Sequence, residues 1–306
     1  MSASDPPPAA ISIRGLTKRY GSLTALKELN LDVAQGEVLG FLGLNGAGKT
    51  TAIRLLLDLL RPTSGKAFIF GHDCRMDGLA ARVRVGYLPG ELGIYSDLTG
   101  LEMLDFLAGL RRRPVDKTRR RELVERLELP HRDMRRKLRQ YSTGMKRKLG
   151  LIQALEGDPP LLILDEPTEG LDPLMQESVY GLLKEAKQRG RTIFMSSHVL
   201  SEVERICDRI ALLRKGELVL LTGLESMRGL TARRVRVIFL RDVSAPVSLP
   251  PGHKLIEAAP RTWSLQVTGP LGPLLNALAG LPVEDLEVRE ARLEDVVLKY
   301  YREGTP

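Results

Sequence analysis

The sequence predicts an α/β fold built on a parallel sheet, followed by a smaller α+β region. Three apolar segments have the composition of buried strands: VLGFLG from Val38, LLIL from Leu161 and RTIFMSSH from Arg191. A segment with apolar residues at helical spacing, TTAIRLLLDLL, begins at Thr50, shortly after the first strand. Beyond Gly223 the pattern changes to the alternating segments RVRVIFL and TWSLQVT, which indicate half-buried strands of a separate unit.

A glycine-rich loop connects the first strand to its helix. It has the form G-x-x-x-x-G-K-[ST], in which glycines let backbone N–H groups approach phosphates and the helix N-terminus adds partial positive charge. We expect Lys49 to reach the β- and γ-phosphates of a nucleotide and the Thr50 hydroxyl to ligate Mg²⁺. The residues expected to bind the nucleotide are Gly43, Leu44, Asn45, Gly46, Ala47, Gly48, Lys49, Thr50 and Thr51.

Ionisable side chains end the other two strands, at the edge where open α/β sheets bind ligands. Asp165 is expected to hold Mg²⁺. Glu166 points to the other side of its strand and is expected to act as general base on an attacking water; the alternative is an exposed acid at a strand end. His198 is predicted to emerge at the same edge and to contact the γ-phosphate, although lone histidines are usually surface or core residues.

The positive charge is concentrated in one region. The chain has a net charge of +8, whereas residues 111–148 contain 16 Lys/Arg and 5 Asp/Glu, a balance of +11. This pattern predicts either a solvated helical face or a contact with anionic lipid headgroups or an acidic partner. Nucleic acid is not expected as a partner, because the region lacks the interleaved aromatics on which bases stack.

The composition also predicts the cellular compartment and the character of the N-terminal segment. The apolar runs are too short to cross a bilayer, and the start MSASDPPPAA predicts a disordered tail over residues 1–10 instead of a signal peptide. Cys74 and Cys207 have no metal-ligand spacing, which favours buried thiols in a reducing compartment.

The motifs together resemble the ATP-binding subunit of an ABC transporter over residues 11–222. They occur in the family's order: KRYGSLTAL, the glycine-rich loop, VGYLPGELGIY, YSTGM, LLILDEP, EGLD and the histidine of SSH. The resemblance implies a RecA-like core with an antiparallel β subdomain, a helical subdomain at about 93–157, and ATP with Mg²⁺ as cofactors. It also implies that Tyr20 stacks on adenine and that Asp172 belongs to the D-loop.

The resemblance gives YSTGM a role on a second chain. It implies that Ser142, Thr143, Gly144 and Met145 cap the γ-phosphate of ATP held by a partner copy, with a helix beginning near Met145. The chain is then expected to form an ATP-dependent homodimer that drives separate membrane permease subunits from the cytoplasmic side of the plasma membrane. The alternatives are an ordinary helix N-cap at this turn, a soluble ABC ATPase acting on ribosomes or nucleic acid, and a non-hydrolysing regulator.

Three positions depart from the family pattern. YSTGM replaces LSGGQ, but Ser142 and Gly144 keep the parts that touch phosphate. Gly90 occupies the slot of the Q-loop glutamine, which in the family contacts Mg²⁺ or the lytic water. We expect Glu91, one residue later, to take over this contact; the alternative is that the contact is lost. Glu169 stands before GLD where a small residue is common, and the sequence offers no reason for it.

The C-terminal region, residues 223–306, is predicted to be a small α+β domain. We expect strands at RVRVIFL, TWSLQVT and VEDLEVRE, a helix at PLLNALAGL, and a closing helix at RLEDVVLKYY. The ending LEDVVLKYY resembles the C-terminal extension of drug-resistance-type exporter ATPases. The resemblance implies a dimer contact or a regulatory role.

Overall fold

The computed structural model describes residues 9–93, 95–110, 116–230, 233–243 and 249–289, with only the backbone at 228–230. The chain separates into two compact units, Met1–Leu221 and Thr222–Pro306. Residues 1–8 of the predicted tail and the predicted closing helix at 292–301 lie outside the described residues. None of the helices in the described part of the chain combines the length and apolar character of a membrane span.

The part of the chain up to Gly223 contains both strands and helices. The strands are β1 (Ala9–Tyr20), β2 (Leu23–Ala34), β3 (Val38–Leu42), β4 (Ser64–Ile69), β5 (His72–Asp73), β6 (Val85–Leu88), β7 (Leu161–Asp165), β8 (Thr192–Ser197), β9 (Arg209–Arg214) and β10 (Glu217–Gly223). The helices are α1 (Lys49–Leu56), α2 (Gly78–Arg82), α3 (Gly100–Leu110), α4 (Lys117–Arg126), α5 (His131–Met134), α6 (Thr143–Leu155), α7 (Pro173–Gln188) and α8 (Leu200–Ile206). Because β1 begins at Ala9, residues 9 and 10 belong to a strand and not to the predicted tail.

A six-stranded sheet forms the centre of this unit, in the order β10-β9-β3-β8-β7-β6. The three segments predicted as buried strands are β3, β7 and β8, and every residue in them is buried. β3 pairs in parallel with β8 and β9, and β7 pairs in parallel with β6 and β8. The carboxyl ends of these strands therefore lie along one edge, and the loops that follow them converge there.

An antiparallel sheet of order β2-β1-β4-β5 forms a second layer. Its inward residues, such as Ile11 and Leu31, join the same buried cluster as Phe41 and Phe194 of the parallel sheet. The rings of Phe41 and Phe194 have centroids 5.1 Å apart. The predicted α/β fold, with a parallel core and an antiparallel β subdomain, is confirmed.

The segment between β6 and β7 is helical. It contains α3 to α6 and a 3-10 turn at Leu138–Gln140. Arg120 of α4 ties the helices together, since its Nε lies 2.8 Å from Oε2 of Glu156, the residue that caps α6. The Tyr141 hydroxyl donates to the Asp133 carbonyl at 2.8 Å and anchors the segment immediately before α6. These contacts hold the two ends of α6 against the rest of the helical region.

The second unit is a four-stranded antiparallel sheet with one helix packed on it. Its elements are α9 (Leu224–Leu230), β11 (Arg233–Phe239), β12 (His253–Ala259), β13 (Thr262–Val267), α10 (Gly272–Leu278) and β14 (Val283–Arg289), with strand order β12-β13-β11-β14. Trp263 is buried in its core, in edge contact with Phe239 at 4.8 Å between centroids. The prediction omitted α9 and β12, because HKLIEAA neither alternates clearly nor stands apart from the proline-rich turn before it.

Candidate nucleotide-binding site

The loops after β3, β6, β7 and β8 enclose a cavity of about 450 Å³ at the carboxyl edge of the parallel sheet. Of the residues predicted from sequence, thirteen line it: Leu44, Asn45, Gly46, Ala47, Gly48, Lys49, Thr50, Thr51, Gly90, Glu91, Asp165, Glu166 and His198. Ala25, Arg54 and Glu169 complete the lining. Residues from four separate motifs therefore share one pocket, as expected of a ligand site in an open α/β sheet.

The glycine-rich loop wraps around the Lys49 side chain. Lys49 is the first residue of α1 and is 6% exposed; its Nζ donates to the carbonyls of Gly43 at 2.6 Å and Leu44 at 3.4 Å. Gly48 has a φ of +107°, and a Cβ there would lie 2.5 Å from the Ala25 carbonyl oxygen. Only glycine fits this position, which turns the loop into the N-terminus of α1. The ammonium and the helix end therefore present positive charge to the cavity.

Glu166 links the lysine to the histidine. Its Oε1 lies 3.1 Å from Lys49 Nζ, and its Oε2 lies 2.8 Å from His198 Nδ1. Glu166 follows β7 and has a φ of +52°. Residues other than glycine adopt this backbone conformation only at a cost in free energy. Its backbone N–H donates to Ser196 Oγ at 3.0 Å and helps to hold that conformation. A strained, partly buried carboxylate between two basic groups is typical of a functional site.

Asp165 contributes a buried carboxylate to the lining of the cavity. The residue is fully buried, and its Oδ1 accepts a hydrogen bond from Ser196 Oγ at 2.5 Å. Its Oδ2 has no hydrogen-bond partner among the described residues. A buried carboxylate oxygen without a hydrogen-bond partner destabilises the folded protein unless a cation or a water molecule binds it. Asp165 and Thr50 line the same cavity, so these residues fit Mg²⁺, which is commonly held by one or two protein oxygens plus phosphates.

Gly90 keeps the space beside that oxygen open. A Cβ at position 90 would lie 3.0 Å from Asp165 Oδ2, closer than side chains normally approach. Glu91 follows, is exposed, and lines the cavity. The structure thus brings Glu91 to the same pocket as Asp165.

The other predicted residues lie outside this cavity. The Tyr20 side chain is 45% exposed, with Lys18 Nζ 4.8 Å from its ring centroid. The helix at YSTGM begins at Thr143 and not near Met145 as predicted, since Ser142 Oγ already accepts from the Met145 N–H at 3.2 Å as its N-cap. Asp172 caps α7 in the same way, accepting from Met175 N–H at 3.0 Å. Gly43 contributes its carbonyl to Lys49.

Sequence reasoning missed two side chains that shape the site, Ser196 and Arg147. Ser196 bridges Asp165 and the Glu166 backbone, and its only signal in the sequence was a serine pair before His198, which follows β8. Arg147 of α6 is 4% exposed and reaches the loop after β6. Its Nη2 lies 3.1 Å from Glu169 Oε2, which supplies the physical reason for a glutamate at position 169.

A phosphate loop facing a buried carboxylate across a parallel sheet is typical of a phosphate-loop nucleoside triphosphatase. A family model described as ABC transporter matches residues 26–169. The daunorubicin resistance ATP-binding protein DrrA3 of Streptomyces coeruleorubidus is 34% identical over 300 residues, which cover 94% of this chain and 95% of that protein. The chain belongs to the ABC transporter family, and it is an ABC ATPase.

Two further comparisons agree with this assignment. An uncharacterized ABC transporter ATP-binding protein of Nostoc sp. is 44% identical over 210 residues, which cover 68% of this chain and 62% of that relative. A dimeric structure of a bacterial ABC transporter cassette matches with a TM-score of 0.65 at 27% identity, covering 70% of this chain and 98% of the other. The likeness therefore rests on the cassette, whereas the relative from Streptomyces extends it into the C-terminal unit.

Proposed function

We propose that this chain is the ATP-hydrolysing subunit of an ABC exporter, and that two copies close around two ATP molecules to drive membrane permease subunits. The observation that carries the proposal is the arrangement in one cavity of Lys49, Glu166 and His198 beside the unpaired oxygen of Asp165. Such a set can hold a triphosphate, a divalent cation and an attacking water at once. A regulator that does not hydrolyse ATP would have no need of all four groups.

Each residue has a distinct part in hydrolysis. Lys49 exchanges its contact with Glu166 for the β- and γ-phosphates, which leaves the Glu166 carboxylate to take a proton from water. His198 contacts the γ-phosphate and keeps the Glu166 carboxylate oriented. Asp165 and Thr50 hold Mg²⁺, which neutralises charge on the phosphates when bound. Glu91 replaces the Q-loop glutamine at this metal, and Tyr20 stacks on adenine.

The start of α6 acts on the ATP of the second copy. Ser142 and Thr143 are exposed and lie outside the cavity of their own chain. The Ser142 hydroxyl and the first N–H groups of a 13-residue helix form a site suited to an anion. Leu174, in the first turn of α7 after Asp172, is 82% exposed, which suits a surface covered in a dimer. The dimeric cassette structure is consistent with this arrangement.

The exporter role and the membrane location follow from the relatives. The name of the Streptomyces protein, daunorubicin resistance ATP-binding protein, supports export as the process and does not identify cargo. We place the chain on the cytoplasmic side of the plasma membrane, bound to permease subunits. The C-terminal unit is proposed to contact its copy or to regulate the cassette.

A contact between the helical region and anionic lipid is a further part of the proposal. Ion pairs already neutralise some of its basic residues, since Arg119, Arg120, Arg126, Arg136 and Arg139 each lie within 4.0 Å of a carboxylate. Other cations between positions 117 and 137 are exposed, and these would face headgroups: Lys117, Arg121, Arg135 and Lys137. Flotation with vesicles containing phosphatidylglycerol, compared with phosphatidylcholine alone, tests this contact.

Activity at falling chain concentration tests the dimer. The proposal predicts that ATPase activity per chain declines once dilution separates the copies. Constant activity per chain down to a concentration at which light scattering shows only monomers contradicts it. Co-purification from membranes with a multi-spanning protein supports the transport role, whereas ATPase stimulation by nucleic acid alone would contradict it.

A further inference from the structure

The Arg147 guanidinium is enclosed by four acceptors from three segments. Nη1 donates to the Pro89 carbonyl at 3.0 Å and to the Asp165 carbonyl at 3.2 Å. Nη2 donates to the Gly90 carbonyl at 2.9 Å and to Glu169 Oε2 at 3.1 Å. The side chain is 4% exposed. One residue of α6 thus joins the loop after β6, the end of β7 and the segment before α7.

The chemistry of this contact requires an arginine. Burial lowers the pKa of Arg147, and the neighbouring carboxylates, Glu169 first among them, oppose that shift. A guanidinium keeps its proton and directs a planar fork of donors at several acceptors, whereas an ammonium is a point charge. A buried cation that loses its acceptors is strongly unfavourable, so the loop carbonyls are held firmly. Glu169 is 56% exposed and contributes less to this than the three carbonyls.

A second contact joins α6 to the same loop. Gly150 lies about one turn further along α6 than Arg147, and a Cβ there would meet Leu88 Cδ1 at 2.6 Å and Leu92 Cδ2 at 3.0 Å. The two side chains therefore pack directly on the helix backbone, on either side of Gly90. The loop and α6 form one packed structure whose two ends face different nucleotides under the proposed function.

We propose that Arg147 is a positioning residue that fixes the Gly90–Glu91 segment against Asp165 and so connects the signature turn at the start of α6 to the metal carboxylate. It sets Gly90 beside Asp165 Oδ2 and thereby directs Glu91 into the cavity. Glu169 is its counter-ion. The roles of Glu91 and of the signature turn in this inference rest on the proposed function. That Arg147 holds the Gly90–Glu91 segment against Asp165 does not depend on that function.

Hydrogen exchange on the full chain tests the structural part. Arg147→Met is expected to raise amide exchange in residues 90–93 about tenfold or more, while exchange in β3 and β8 stays unchanged. Arg126→Met is the matched control, because Arg126 also bridges from the helical region, to Glu185 of α7 at 2.6 Å, without touching the loop. Unchanged exchange at 90–93 in Arg147→Met, or an equal rise in Arg126→Met, overturns the inference.

Steady-state kinetics test the functional part. Arg147→Met and Arg147→Lys are both expected to lower kcat about 10-fold to 100-fold and to raise the Mg²⁺ concentration needed for half-activation, with little change in KM for ATP. Glu169→Gln, whose amide oxygen still accepts a hydrogen bond, is expected to lower kcat less than about threefold. A rise in KM with unchanged kcat and Mg²⁺ requirement, or full rescue by lysine, overturns the inference.

A double-mutant cycle separates this inference from the proposed role of Glu91. If Arg147 acts by placing Glu91, then Arg147→Met costs much less in a Glu91→Ala background than in the wild type. If the effects of Arg147→Met and Glu91→Ala on kcat are additive, the inference is overturned, but the proposed role of Glu91 is not. If Glu91→Ala alone has no effect, the proposed role of Glu91 fails, and the exchange result at 90–93 then decides whether Arg147 holds the loop.

Discussion

Lys49 and Glu166 form an ion pair inside the cavity, with Nζ 3.1 Å from Oε1 and side chains that are 6% and 14% exposed. The pair joins the lysine proposed to bind the phosphates to the carboxylate proposed as general base. Lys49 needs to approach the phosphates for ATP to bind as proposed, so the same event releases the carboxylate. Under the proposed function, this one contact couples nucleotide binding to activation of the base.

Replacing Glu166 with glutamine tests the role of the carboxylate. Glu166→Gln keeps the size of the side chain and removes its charge and its capacity to accept a proton. We expect ATP binding to persist, kcat to fall about 100-fold to 10,000-fold, and a stable ATP-dependent dimer to accumulate in size-exclusion chromatography with light scattering. Lys49→Ala is the control, expected to lose ATP binding. A Glu166→Gln variant that stays monomeric in excess MgATP contradicts the prediction.

Glu91→Ala tests whether this residue replaces the Q-loop glutamine. Removing a carboxylate that acts on the metal in the reacting complex lowers kcat more than ATP affinity. We expect ATPase activity coupled to the permease to fall about tenfold, with nucleotide affinity from fluorescence titration nearly constant. Unchanged coupled activity means that the departure at Gly90 is uncompensated.

Gly90→Ala tests the open space beside Asp165. A Cβ at position 90 would lie 3.0 Å from Asp165 Oδ2, on the side where Mg²⁺ is proposed to bind. We expect a higher Mg²⁺ requirement for ATP hydrolysis, measured as activity against Mg²⁺ concentration. Gly93→Ala, in the same loop, is the control, since a Cβ there would have no atom of the described residues within 4 Å, its chain neighbours aside. Equal Mg²⁺ requirements in the two variants would contradict this account.

Much of the site is predictable from the sequence because its residues end strands or begin α1. In a chain that also contains Lys49 and its glycine-rich loop, an apolar run followed by Asp165 and Glu166 is most simply interpreted as a buried strand that ends at the site. Arg147 is not predictable in this way, because most of its partners are backbone carbonyls. The carbonyl of Gly90, for example, lies 57 residues earlier in the chain. Every residue has a backbone carbonyl, so the sequence does not indicate which of them Arg147 contacts. The role of Glu169 as the ion-pair partner of Arg147 could not be predicted either, because it depends on where Arg147 lies.

An ion pair outside the site predicts a change of stability with pH. Asp158 accepts hydrogen bonds from Arg191, which lower the pKa of the carboxyl group in the folded protein, although burial opposes this. The contribution to the free energy of unfolding is therefore present above the unfolded pKa of about 3.9 and is lost as pH falls through the folded value. We expect Asp158→Asn to destabilise the protein at pH 7 by less than about 1 kcal/mol, since the side chain is 36% exposed.

Urea unfolding at several pH values measures this effect. The difference in unfolding free energy between wild type and Asp158→Asn should shrink as pH decreases from about 5 to about 2. Asp242→Asn is the control, because its pair with Arg261 is 73% and 67% exposed. A difference that stays constant with pH would show that Asp158 contributes by packing and not by charge.

The central claim is that each ATP site is completed by the signature turn of the other copy, and mixing two inactive variants tests it most directly. Ser142→Asp keeps the helix N-cap but sets a negative charge against the partner's γ-phosphate, and Lys49→Ala removes nucleotide binding. Each variant alone should be inactive. In an equal mixture, half of the random dimers are mixed and each of these has one intact site, so activity should recover to at most roughly a quarter of wild type. No recovery in a mixture that contains mixed dimers would contradict shared catalysis.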